Sequence, residues 1–81
     1  MITYLRLPDV QEATALSRTA VYRHVNVGLL TKPVRIGERA SGWPEHEIAA
    51  INAARLAGKP DHAIRTLVES LHQQRQRADA A

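Results

Sequence analysis

The stretch LSRTAVYRHVNVGLL, from Leu16 to Leu30, constrains this chain more than any other. Ser17 carries a side chain that accepts a hydrogen bond from a free backbone N–H at a helix start. Val21 and Val25 lie four apart and Leu29 four further on, so the three share one helical face. Arg18, Thr19, Tyr22 and Arg23 fall on the other sides, and Gly28 sits near the expected end, where a residue tolerant of positive φ is favoured. A helix this short is not stable alone. Its apolar stripe has to dock on other elements, and its polar face becomes a presented surface suited to nucleic acid.

The flanking segments supply those elements. Residues 2–7, ITYLRL, alternate as a short strand would, with Leu5 and Leu7 on one face. Pro8 then stands at a first helical position, Asp9 and Glu12 bring negative charge to the first turn, and Val10 and Ala13 face inward. A helix of about two turns, a tight connection and a second helix capped by Ser17 form a helix-turn-helix. Downstream, KPVRIGERASGW alternates Val34 and Ile36 with Arg35 and Gly37 until Glu38 and Arg39 break the pattern. This is a β-hairpin whose turn Gly37 permits, with Pro33 at the first residue of its strand or on an edge. A helix-turn-helix followed by a hairpin is a winged helix. Trp43 anchors the hairpin in the core and its N–H needs a partner.

A third helix is expected to open with Pro44 at its first position and Glu45 and Glu47 in its first turn. Ile48 and Ile51 mark its buried face, the Ala-rich run to Ala57 favours helix, and Gly58 ends it. Pro60 and Asp61 open a fourth, in which Ile64, Leu67, Val68 and Leu71 form a stripe. That stripe either finishes the core or pairs with another subunit. From Gln73 onward the chain is polar and expected to fray. The fold class is therefore mainly α with a small β-hairpin. Residues 1–58 form a winged helix-turn-helix, and residues 59–81 add a C-terminal helix and tail, packed on the same domain or used for self-association.

At 81 residues the chain suits one small domain, and without cysteine it has neither a disulfide framework nor a thiolate metal site. The net charge of +3 is unevenly spread. Between Leu16 and Trp43, Arg18, Arg23, Lys32, Arg35 and Arg39 face Glu38 alone, whereas basic and acidic residues balance from Pro44 to Ala81. The positive excess thus lies in the helix and hairpin just described, which by charge alone fits a solvated face or a polyanion-binding one equally well. No pair among the four histidines has the i, i+4 spacing of metal ligands. Most of the carboxylates fall in helix first turns, where capping accounts for them. No nucleophile triad or Gly-rich phosphate loop is present, so neither an enzyme, a metal site nor a cofactor is expected. No leader or membrane span is recognisable, and a cytoplasmic, nucleoid-associated protein is expected.

The segments LPDV, LSRTAVYRHV and KPVRIGERASGWPEHEI, in this order and spacing, resemble the AlpA family of small prophage and mobile-element regulators. These are grouped with excisionase and MerR-type winged helices. The resemblance runs from about Leu5 to Ile51. It implies double-stranded DNA as the partner, with the second helix in the major groove and the hairpin on the backbone or minor groove. The recognition-helix candidates are Ser17, Arg18, Thr19, Tyr22 and Arg23; those in the wing are Lys32, Arg35, Gly37 and Arg39. Arg18 or Arg23 is able to reach a guanine edge, although for Arg23 a backbone phosphate is favoured over a base, with an internal ion pair as the other alternative. Ser17 is first a cap, and Tyr22 is half core with its hydroxyl outward. Arg35 and Arg39 suit phosphates or the minor groove, supported by Lys32. Ala15 departs from the Gly frequent in the family, and His24 and Ser41 stand where aliphatic residues are common. None of these removes a basic residue of the signature.

The expected function is sequence-specific DNA binding as a transcriptional regulator of a prophage or mobile element. The alternative is an excisionase, a recombination directionality factor working with an integrase. A protein-interaction module using the Ile64–Leu71 stripe is a third reading. A domain this small has a small footprint, so tight binding is expected to need self-association or cooperative neighbours.

Overall fold

The computed structural model describes residues 1–80, with side chains through Arg77. In chain order the elements are β1 (Tyr4–Leu5), α1 (Leu7–Thr14), α2 (Arg18–Asn26), β2 (Val34–Gly37), β3 (Ala40–Pro44), α3 (Glu45–Leu56) and α4 (Asp61–Ala80). The strands form one antiparallel sheet in the order β1-β3-β2. The result is a mainly helical, winged-helix-like fold with an added C-terminal helix.

Local chemistry explains most of the boundaries. The Asp9 carboxylate accepts from the Arg6 backbone N–H at 3.2 Å and so ties off the start of α1. The Ser17 hydroxyl accepts from the Ala20 N–H at 3.1 Å at the start of α2. Both α2 and α3 end in the same way. Gly28, at φ 81°, lets Leu29 N–H reach His24 C=O, and Gly58, at φ 78°, lets Lys59 N–H reach Ala54 C=O. Each is a Schellman closure that satisfies carbonyls left over by the helix. Between α1 and α2, Ala15 adopts φ 58°, a left-handed conformation unusual for a residue with a Cβ.

The core holds Val10, Val21, Leu29, Leu30, Trp43, Ile48, Ile51, Ile64, Val68 and Leu71. Ile64, Val68 and Leu71 therefore face the rest of the domain, and α4 closes the core. Trp43 is only 1% exposed, and its Nε1–H donates to Thr31 C=O at 2.8 Å, the partner the indole requires.

Several expectations need correction. The first strand is Tyr4–Leu5 rather than residues 2–7, because Leu7 already belongs to α1, where Pro8 takes the second position. Ala13 is exposed, not inward. Pro44 ends β3 instead of opening α3: paired with Tyr4, it has the extended ψ of 128° and leaves Glu45 to start the helix. The hairpin is joined by β1 along β3, so the wing belongs to a three-stranded sheet. The polar region from Gln73 is helical, as α4 continues through Ala80.

Arg75 accounts for that continuation. Its guanidinium donates to both carboxylate oxygens of Glu47, at 2.8 and 2.6 Å, and to Lys32 C=O at 2.7 Å. Glu47 is 1% exposed and is thus a buried partner of α4, not a first-turn charge facing water. One turn earlier, His72 Nε2 accepts from the Lys32 N–H at 3.1 Å. Helix α4 therefore holds both backbone groups of the residue that leads into the wing.

Candidate nucleic-acid interface

Helix α2 buries Val21 and presents Arg18, Thr19, Tyr22, Arg23 and Asn26 as exposed residues. At about 100° per residue these five occupy one face spanning roughly 140° of the helix. Neither acidic residue type occurs in α2, and its amino end, with the positive pole of the helix dipole, lies at Arg18. Ser17 is exposed, but its hydroxyl is occupied by the Ala20 N–H. Tyr22 is 41% exposed, and its ring leans on Trp43 with centroids 6.4 Å apart at 54°. Packing against Trp43 fixes that ring at the junction of α2 and the wing.

The wing is braced from within. The Arg35 guanidinium donates to Glu38 C=O at 2.9 Å and to Gly37 C=O at 3.4 Å, folding back over the turn. Its remaining N–H groups stay available, but the side chain is first a clamp on the hairpin. Arg39, next to Glu38 in the turn, is exposed. Gly37 does not adopt positive φ, and an added Cβ would meet only the Ala40 side chain at 3.6 Å. The turn therefore does not depend on glycine there; an irregularity between Arg35 and Gly37 adjusts the pairing instead. Glycine is needed at Gly42, where a Cβ would come within 3.0 Å of Leu5 C=O as β1 crosses.

The structure brings part of the predicted set together. Arg18 and Tyr22 of α2 and Arg39 and Ser41 of the hairpin line one cleft of about 320 Å³ above Trp43. Arg6, which sequence reasoning did not single out, lines the same cleft, and no Asp or Glu does. Nothing local in the sequence marks Arg6, since its position follows from β1 docking on β3. Asn26 was also missed, although the spacing of Arg18, Tyr22 and Asn26 on one face is readable from the sequence. Lys32 lies elsewhere: it borders a second cleft, between the end of α2 and α4, with Arg65, Glu69 and His72.

Burial holds the His72 pKa below its ordinary value, with the positive charge of Arg75 acting in the same direction. The neutral ring is the form that can accept from Lys32 N–H. His24 is lowered too, by burial first and then by Arg55. Among the described residues no group of three His, Cys, Asp or Glu is arranged to hold a metal ion, and no helix is long and apolar enough to cross a membrane.

This geometry can be set beside known proteins. The family described as "Prophage CP4-57 regulatory protein (AlpA)" matches residues 3–56, which include β1, α1, α2, the hairpin and α3. The chain belongs to the AlpA family. A relative is the "Uncharacterized protein ORF88" of Enterobacteria phage P4, 32% identical over 56 residues. That match covers 69% of this chain and 64% of the phage protein, so the chain spans under two thirds of its relative's length. No solved structure matches the chain. The AlpA match stops at Leu56, so helix α4, with Arg75 and His72, lies outside it.

Proposed function

We propose that this AlpA-family chain is a sequence-specific DNA-binding regulator of a prophage or mobile element, and not an enzyme. Helix α2 enters the major groove, and the hairpin lies on the backbone or in the adjacent minor groove. What supports this reading above all is the convergence of Arg18 from α2 and Arg39 from the hairpin on one cleft whose walls carry no carboxylate. A cleft lined by a single sign of charge focuses the positive field on one region of an approaching polyanion. Thr19, Tyr22, Arg23 and Asn26 then supply the base-reading face, while Ser17 and Arg35 hold the two elements in shape. Lys32 contributes charge from the side of α4.

Tight, specific binding by so small a footprint needs a second copy or a cooperative neighbour on repeated sites. Crosslinking the protein to its cellular DNA and sequencing the recovered fragments tests the proposal. Enrichment of a few loci sharing a repeated motif is expected, with altered transcription of adjacent genes when the protein is removed. Uniform recovery of the genome would overturn specific regulation. Enrichment confined to attachment sites beside an integrase gene, with transcripts unchanged, would assign the excisionase role instead.

A further inference from the structure

We propose that the cleft between the start of α1, α2 and the hairpin is a seat for a phosphodiester of the DNA backbone, and that Arg6 is its third arginine. The inference rests on the DNA-binding reading and adds a ligand from outside both the recognition helix and the wing. Four of the other arginines are engaged by protein groups, while Arg23 on the face of α2 and Arg77 late in α4 are exposed. Arg35 donates to Gly37 and Glu38 carbonyls, Arg65 to Val27 C=O at 2.9 Å, Arg75 to Glu47, and Arg55 lies 3.9 Å from Asp61. The side chains of Arg6, Arg18 and Arg39 have no hydrogen-bond or ion-pair partner among the described residues, yet all three line the same cleft.

Like charges gathered without a counter-charge repel one another, and an entering anion relieves that repulsion. Guanidinium groups match a phosphate in shape as well as charge, and the Ser41 hydroxyl on the same wall can donate to a phosphate oxygen. Trp43, Leu7 and Pro8 form the smaller, apolar part of the lining. The cleft volume of about 320 Å³ leaves room for a phosphodiester with ordered water around it. Arg6 precedes α1 directly and its backbone is fixed by Asp9, so the side chain is anchored at its base.

The test is the affinity of the full chain for a mixed-sequence duplex of about 25 base pairs, followed by fluorescence anisotropy from about 50 to about 200 mM salt. Arg6→Ala is expected to make the slope of log K against log[salt] less negative by up to about 0.9, the contribution of one phosphate, so that the affinity lost over this range shrinks by up to roughly 3.5-fold relative to the unaltered chain. Arg6→Lys keeps the original slope. Lys59→Ala, which removes one charge away from the cleft, also keeps it. Thermal melts confirm that each variant folds, and Arg6→Gln replaces Arg6→Ala if the alanine variant does not. A steep slope in the unaltered chain that Arg6→Ala and Arg6→Gln leave in place, or that Lys59→Ala reduces equally, overturns the phosphate seat and leaves DNA binding standing. A flat response in the unaltered chain overturns the DNA-binding reading itself, and the seat with it.

Discussion

Replacing Arg75 by alanine should strip α4 of its main polar tie to the domain. The variant leaves the Glu47 carboxylate 1% exposed with both of its guanidinium bonds gone, and it removes a donor from Lys32 C=O. Breaking a buried ion pair from one side costs about 3–5 kcal/mol, chiefly because a charge is left buried without compensation. The Arg75 side chain is 28% exposed, so water reaches part of the gap, which favours the low end, about 3 kcal/mol. For a domain of this size each kcal/mol lowers Tm by roughly 4–8 °C, giving a drop of about 12–24 °C. Circular dichroism melts at neutral pH, with urea unfolding as a check on two-state behaviour, measure it. The double variant Glu47→Leu with Arg75→Met removes both charges and should recover most of the loss. An Arg75→Ala variant melting within about 3 °C of the unaltered chain would refute the clamp, because a surface substitution would do no more. The clamp also bears on function, since the same guanidinium grips the residue before the wing.

Three further outcomes follow from particular residues. Ala15→Gly relieves a left-handed backbone at φ 58° and should stabilise the domain by about 1 kcal/mol in urea unfolding; a loss of stability would contradict that strain. Thr31 is fully buried and its hydroxyl has no partner among the described residues, so Thr31→Val should raise stability by about 1 kcal/mol, whereas a drop would show the hydroxyl to be engaged. Because burial lowers the His72 pKa from 6.5, the unfolded chain takes up protons at a higher pH than the folded one. Stability is then complete above about pH 6.5 and declines as the pH falls from there through the folded pKa; His72→Ala should flatten part of that decline in melts taken at a series of pH values.

The helix-turn-helix was legible because its determinants are local. Ser17, the Val21 and Val25 spacing and Gly28 each act within a turn or two of the chain, and the structure uses all of them. The core stripe of α4 was legible for the same reason, but not its docking, which depends on partners far along the chain. Arg75 and Glu47 stand 28 positions apart, and neither residue type signals a buried pair in a segment that reads as polar. The two-residue β1 is too short for alternation to define it, and its partner in β3 is remote in sequence. Arg6 and Gly42 owe their significance to that pairing and so stayed hidden with it. Gly37 misled because a glycine beside a hairpin turn usually supplies positive φ, whereas here the chain accommodates the turn without it.

The central claim is that α2 and the hairpin engage one duplex together, and the salt dependence of binding tests it most directly. With about five phosphates neutralised, log K against log[salt] for the unaltered chain should have a slope of about −4 to −5. Arg18→Ala and Arg39→Ala should each make that slope less negative, and the pair together by about 0.9 or more, at least the phosphate they share. A flat slope, or one that either arginine can be removed from without change, would contradict simultaneous engagement by the two elements.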